Sequence, residues 1–209
     1  FYSSDDRGVL FDKEKSLLLQ APNEISGSYK IPDSVICIGD PAFSDCTKLN
    51  SVIIPRSVTD IGVNAFSCCT NLTGIHVDAN NPNYSSDNRG VLFDKRKTAL
   101  ITAPGGIQGS YEIPDGVAYL DPWSISWCPS LISLTVPDSV TIICGGVFNY
   151  CFDLKYLYFE GDAPVLDWDI MWPINPTVFY PSDNPTWTEH VLTSYNGSPT
   201  WVAYNPSHS

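Results

Sequence analysis

The amino-acid sequence predicts a mostly β solenoid, and two nested repeats and one alternation predict it. The stretch from Tyr2, YSSDDRGVLFDKEKSLLLQAPNEISGSYKIPDSV, recurs from Tyr84 as YSSDNRGVLFDKRKTALITAPGGIQGSYEIPDGV, an offset of 82 residues. Pro32 and Pro114, Cys46 and Cys128, Phe66 and Phe148, and Cys69 and Cys151 all keep that offset. Inside each copy runs a shorter period of 23 residues, pairing Pro32 with Pro55, Phe43 with Phe66, Cys46 with Cys69 and Leu49 with Leu72. Within that period apolar residues alternate, which puts them on one face of a strand. A unit this short cannot bury its apolar face alone, so copies must stack on one another.

Residues 1–159 therefore read as two 82-residue modules, each a hairpin segment followed by two 23-residue repeats, and residues 160–209 as a C-terminal capping segment. In the hairpin segments, Gly8 to Leu19 and its copy, Gly90 to Asp94 joined through Lys95–Lys97 to Ala99–Thr102, predict strand, charged turn, strand. Two isolated strands are marginal in water, so these hairpins should stack in series with the coils. The repeats carry L-x-x-L-x-L at Leu49-x-x-Val52-x-Ile54, Leu72-x-x-Ile75-x-Val77, Leu131-x-x-Leu134-x-Val136 and Leu154-x-x-Leu157-x-Phe159. That is a leucine-rich-repeat signature, one strand per coil with its apolar residues inward. Pro55 and Pro137 remove a donor where pairing should stop, and Val58–Ile61 and Val140–Ile143 predict a second short strand turning back. Phe43, Phe66 and Phe148, with Ile125 in the fourth corresponding place, should plug the turn before each cysteine.

At Glu160 the period fails, and the sequence becomes rich in Trp, Pro and Tyr. A solenoid must cover its last open core, so Trp168, Trp172, Phe179, Tyr180, Trp187 and Trp201 are expected to form that cover. Asn184 as N-cap, Pro185 in the first helical position and Gly197 past the end should bracket one short helix. Thr177–Tyr180 and Thr200–Tyr204 read as flanking strands.

Ile54 to Leu72 nearly spells out I-P-x-S-V-T-x-I-G-x-x-A-F-x-x-C-x-x-L. In this the chain resembles the BspA-like leucine-rich repeats of gut-bacterial surface proteins. The resemblance covers residues 31–159 as repeats, and the GVLFDK, VFYPSDNPTWT and TWVAY segments look like pieces that accompany them. The third repeat departs most, with Trp123, Ile125 and Trp127 where the pattern has a small residue and Phe. The resemblance implies a bacterial, extracellular or cell-surface location and adhesion to host proteins or other cells.

Composition and motifs argue against most other chemistry. A formal net charge of -12 repels nucleic acid and anionic lipid. No apolar run approaches the roughly 18 residues that span a bilayer, so no membrane insertion is expected. The chain opens at Phe1 and its one Met is Met171, which reads as a processed product or a piece of something longer. The seven cysteines form no C-x-x-C pair, and four recur at a turn position where a weak buried donor can satisfy backbone. Stacked thiols near bonding distance are the alternative to that packing role.

His76, His190 and His208 match no catalytic pattern; His76 falls outward on a strand and His190 on the cap helix. The segment Asp78–Asn83 has calcium-like oxygens but lacks the EF-hand glycine and terminal Glu, so turn chemistry explains it better. Asp167 and Asp169 flank Trp168, yet side chains of successive strand residues diverge, which weakens a glycosidase reading. No catalytic residue, metal or cofactor is expected.

What remains is a surface. Between the inward leucines stand Ser51 and Ile53, Gly74 and His76, Ser133 and Thr135, and Tyr156 and Tyr158, in adjacent rows. These outward positions predict a site for a protein partner. A glycan or cell-wall site on the cap aromatics, and a passive spacer in a larger surface protein, are the alternatives.

Overall fold

The 23-residue period becomes parallel pairing, in which residues one period apart sit opposite each other on neighbouring strands. Val52 pairs with Ile75, Leu134 with Leu157, and Ile38 with Ile61. The computed structural model describes residues 2–167, 169–194 and 198–205. It divides into two units, Phe1–Lys97 with Ile101–Ile107, and Thr98–Leu100 with Gln108–Ser209.

Unit 1 holds β1 (Tyr2–Ser4), β2 (Leu10–Asp12), β3 (Leu17–Gln20), β4 (Gly27–Lys30), β5 (Cys37–Ile38), β6 (Leu49–Ile54), β7 (Asp60–Ile61), β8 (Gly74–Val77), β9 (Tyr84–Ser86) and β10 (Leu92–Asp94). β2 and β3 form the expected hairpin, and β1 adds an unexpected antiparallel strand. The hairpin stacks in series with the coils, because β3 pairs in parallel with β5 and β5 with β7. The opposite side is the parallel sheet β4, β6, β8. β4 was not anticipated, since its segment lacks the leucine pattern; yet Ser28 opposes Ser51 and Tyr29 opposes Val52, the same 23-residue step that Pro32 and Pro55 keep. The Asp78–Asn83 segment is a turn staple. Buried Asn81 donates its amide to the Pro55 and Val58 carbonyls at 2.9 and 3.0 Å. Its side-chain oxygen accepts the Asn83 and Tyr84 amides, which leaves that side chain satisfied by backbone.

Unit 2 takes the first two residues of β11 (Ala99–Thr102), then β12 (Gly109–Glu112), β13 (Tyr119–Leu120), β14 (Leu131–Val136), β15 (Ile142–Ile143), β16 (Tyr156–Phe159), β17 (Val165–Leu166), β18 (Thr177–Pro181), α1 (Glu189–Ser194) and β19 (Thr200–Tyr204). The ladder does not stop where the sequence period fails. β17 pairs in parallel with β15, β18 with β16, and β19 with β18, so the segment expected only to cap the coils adds rungs to both ladders. Thr177 opposes Thr200, again 23 residues on, although few side chains repeat between them. Backbone pairing needs only the rise of the coil, not its side-chain motif.

The helix also starts later than expected. Asn184 turns its side-chain oxygen to the Thr186 amide and hydroxyl and its amide to Asp162, so it staples a turn. Thr188 is the residue whose hydroxyl receives the Val191 amide at the start of α1. Gly197 lies outside the described residues.

Inward side chains stack like on like. Phe43 and Phe66 lie parallel with ring centroids 5.4 Å apart, and Tyr29 tilts onto Phe43 at 5.8 Å. The turn side is bonded from coil to coil as well: the amides of Phe43 and Asp45 donate to the Ala65 and Ser67 carbonyls, and those of Phe148 and Tyr150 to Ile170 and Trp172. Keeping that turn requires a left-handed residue before each repeat cysteine, at Asp45, Cys68, Trp127 and Tyr150, with φ between 56° and 62°. A second such position takes Trp123 and Gly146. At Gly146 (φ 73°) a Cβ would fall 2.6 Å from the Trp123 indole, so glycine is required for both conformation and space.

The repeat cysteines take the packing role. The Cys69 thiol donates to the Phe43 carbonyl and the Cys151 thiol to the Ile125 carbonyl, both at 2.9 Å and both to a neighbouring coil. Among the described residues, which include all seven cysteines, no disulfide forms. Burial pushes the Cys46 thiol up to about 11 and the Cys69 thiol up to about 12. A hydrogen bond with Cys151, then burial, raises Cys128.

Four outcomes follow from this packing. Phe43→Ala is expected to cost about 3–5 kcal/mol in urea unfolding, because it opens a cavity inside a ring stack. Gly146→Ala should destabilise through both strain and collision, and in a Trp123→Ala background only the left-handed strain, about 1–2 kcal/mol, should remain in a double-mutant cycle. In native protein near pH 8.5, iodoacetamide should label half-exposed Cys37 and Cys68 before Cys46, Cys69, Cys128 and Cys151, as read by mass spectrometry. Because the folded Cys69 value lies above its ordinary 9.0, its contribution to stability is complete below about pH 9 and is lost as pH rises through about 12.

Candidate functional site

A strand buried on one face offers every second residue to solvent, and parallel pairing lines those residues up across neighbouring coils. In unit 1 this produces the rows Ser28, Ser51, Gly74 and Lys30, Ile53, His76. The structure thus brings together the three predicted residues Ser51, Ile53 and His76. His76 is exposed, and its ring lies over Gly74, whose missing side chain makes room for it: a Cβ there would sit 2.7 Å from the imidazole Nε2. Beside them lies a groove of about 420 Å³ lined by Lys30, Asp33, Ile53, Arg56, His76 and Asp78. Lys30 was missed with its strand, and Arg56 and Asp78 because they follow the strands in turns.

In unit 2 the rows are longer: Ser110, Ser133, Tyr156, Thr177, Thr200, and Glu112, Thr135, Tyr158, Phe179, Val202. All four predicted residues, Ser133, Thr135, Tyr156 and Tyr158, share this sheet. The Ser133 hydroxyl donates to Ser110 at 2.8 Å. Tyr158 and Phe179 stack with centroids 4.6 Å apart, and Tyr156 leans toward both at 6.5 and 6.3 Å. Phe179 is therefore not part of the cover over the last open core, as expected; the register of β18 against β16 points it outward. A second groove, about 460 Å³, opens beside Tyr156 and is lined by Phe152, Lys155, Ile174, Asn175 and Thr177.

One end of this face is acidic. Glu112 stands on β12, Asp115 and Asp138 in the turns after β12 and β14, and Glu160 directly after β16. Partial burial, then repulsion from Asp115, Glu112 and Asp138, raises the Glu160 carboxyl above the usual carboxylate range. The sequence of unit 2 contains eleven carboxylate side chains and a single cation, Lys155.

The other predicted aromatics separate into two groups. Tyr180, Trp187 and Trp201 pack on one another, and buried Trp187 also meets Phe159 and donates its indole N–H to the Gly161 carbonyl at 2.9 Å. These interleave as a cover over the core. Trp172 is instead 49% exposed and sits edge-on to Tyr150, which stacks on Trp127 at 4.0 Å. This turn-side strip was not foreseen, although an aromatic directly before Cys128 and Cys151 was visible. Trp168 and His208 lie outside the described residues; His190 is exposed on α1. Among the described residues no group of three or more His, Cys, Asp or Glu is placed to hold a metal, and no helix is long and apolar enough to cross a membrane.

Comparison with known proteins agrees with this geometry. A family model described as "BspA type Leucine rich repeat region" matches in six copies over residues 24–89 and 108–167. A leucine rich cell surface protein from Faecalibacterium prausnitzii is similar at 22% identity and a TM-score of 0.53, over 87% of this chain and 61% of that one. This chain thus spans less than two thirds of that protein's resolved length. A leucine-rich repeat protein from Eubacterium ventriosum (17% identity, 89% of this chain, 73% of that, TM-score 0.48) and the pneumococcal vaccine antigen PcpA (19%, 87%, 68%, 0.48) are also similar. At such identities the structural likeness speaks to the fold alone. No curated protein matches the chain.

Proposed function

Because the chain belongs to the BspA-type leucine-rich-repeat family, we propose that it is a non-catalytic binding module of the bacterial cell surface or its surroundings, which recognises a protein partner through the strand face of its repeats. The observation that carries this reading is the outward cluster of Tyr156, Tyr158 and Phe179 on the unit 2 sheet. Tyr156 is 42% exposed, and all three rings stand on strands hydrogen-bonded to their neighbours. Interfaces concentrate their energy in aromatic residues of this kind, which lose little conformational entropy when they are already held. The family is in general a repeat scaffold without catalysis. The cell-surface description of the Faecalibacterium protein supports the location proposed here.

A second reading, glycan binding, draws on a different surface. Trp172 and Phe152, 49% and 60% exposed on the turn side, offer ring faces to a sugar. The first reading is preferred because Tyr156, Tyr158 and Phe179 stand on strands of one parallel sheet, whereas Trp172 and Phe152 stand in turns.

The test is an array of extracellular-matrix proteins, mucins and glycans probed with the chain and with Tyr156→Ala/Tyr158→Ala. The expected result is a protein ligand bound at least about tenfold more weakly by the variant. Glycan binding indifferent to the two substitutions would move the site to the turn side, and silence across the array would leave a spacer.

A further inference from the structure

We infer that the partner segment seated on the unit 2 strand face is cationic and apolar, with arginine preferred over lysine. The inference rests on the strand-face reading and adds the partner's chemistry to it. The face itself, with its outward rings and the adjoining groove, is the site; the charge around it selects the occupant.

Two features of the face act together. The Tyr158–Phe179 stack lies in the same outward row as Glu112 and Thr135, with the more exposed Tyr156 ring tilted beside it, so a chain crossing that row meets a carboxylate and then an aromatic cluster. Asp115, Asp138 and Glu160 gather at the ends of the same strands, close enough for their repulsion to reach the Glu160 carboxyl. The one cation of unit 2, Lys155, lines the groove at the opposite end, beside Phe152 and Tyr156. A neutral partner would have to dehydrate the carboxylates without compensation, whereas a guanidinium pairs with a carboxylate and lies flat on an aromatic face at once. An ammonium does only the first well. Apolar residues of the same segment then find the groove walled by Phe152, Tyr156 and Ile174. The unit 1 face shows no such bias, because Lys30 and Arg56 stand there beside Asp33 and Asp78.

The experiment is fluorescence anisotropy with four labelled, capped peptides, RRLLRRLL, KKLLKKLL, SSLLSSLL and EELLEELL, whose paired spacing puts both residue types on each side of an extended chain. The expected order is Arg tightest, Lys several-fold weaker, Ser at least about tenfold weaker, and Glu unbound. Because surface charge is screened, the Arg peptide should weaken by about tenfold between roughly 0.05 and 0.3 M salt. Glu112→Lys/Asp138→Lys and, separately, Tyr158→Ala/Phe179→Ala should each cost at least about tenfold. Glu112→Gln/Asp138→Asn is the milder variant should the charge reversals perturb folding by circular dichroism, and it too should weaken the Arg peptide. Equal binding of the Arg and Ser peptides, both lost in Tyr158→Ala/Phe179→Ala, would overturn the cationic partner and leave the strand face standing. Arg-peptide binding untouched by the ring substitutions would overturn the inference and remove this face as the site. Failure of every peptide to bind would overturn it too, with the strand-face reading then judged on the protein array alone.

Discussion

Everything in this protein depends on backbone pairing between equal positions of successive coils. On the strand side, amides and carbonyls pair in parallel register; on the turn side, the amides of residues such as Phe43 and Phe148 reach the carbonyls of the next coil. A coil whose backbone is satisfied only by its neighbours cannot vary its rise, because each unpaired buried amide or carbonyl would cost about 1–3 kcal/mol. The 23-residue period is the chain length that one such circuit consumes.

Once the rise is set, inward residues must meet their own counterparts. That is why Phe43 stacks on Phe66, and why a cysteine suits the turn: its thiol is small enough to be buried and still donates to the carbonyl of a neighbouring coil. The same geometry accounts for the left-handed residues before each cysteine, which bend the chain so that alternate amides face along the solenoid. These positions tolerate Asp, Cys, Trp and Tyr because the cost of the conformation, about 1–2 kcal/mol, is offset by the coil-to-coil bonds it permits.

The outward positions carry no such obligation, so composition there is free to serve a partner. Unit 2 spends that freedom on rings and carboxylates, and unit 1 on a mixture of charges around Ile53 and His76. The two faces share one backbone arrangement and differ in what they present.

By itself the sequence determined the solenoid, the four leucine-pattern strands, the short return strands and the sidedness of Ser51, Ile53, His76, Ser133, Thr135, Tyr156 and Tyr158, because inward side chains repeat wherever like must stack on like. It was silent where pairing continues without a motif. β4 and β12 carry Tyr29 and Tyr111 in place of leucine; β18 and β19 were legible as strands at Thr177–Tyr180 and Thr200–Tyr204, but the broken period before them left their pairing partners unmarked. Only the tertiary structure decided that these strands join the ladder, that Phe179 turns outward onto Tyr158 while Trp187 turns inward onto Phe159, and that Trp172 stays exposed beside Tyr150. The physical reason is that hydrogen bonds between coils are made by backbone atoms common to every residue, so the register they impose, and with it the face each ring occupies, leaves no mark on side-chain identity.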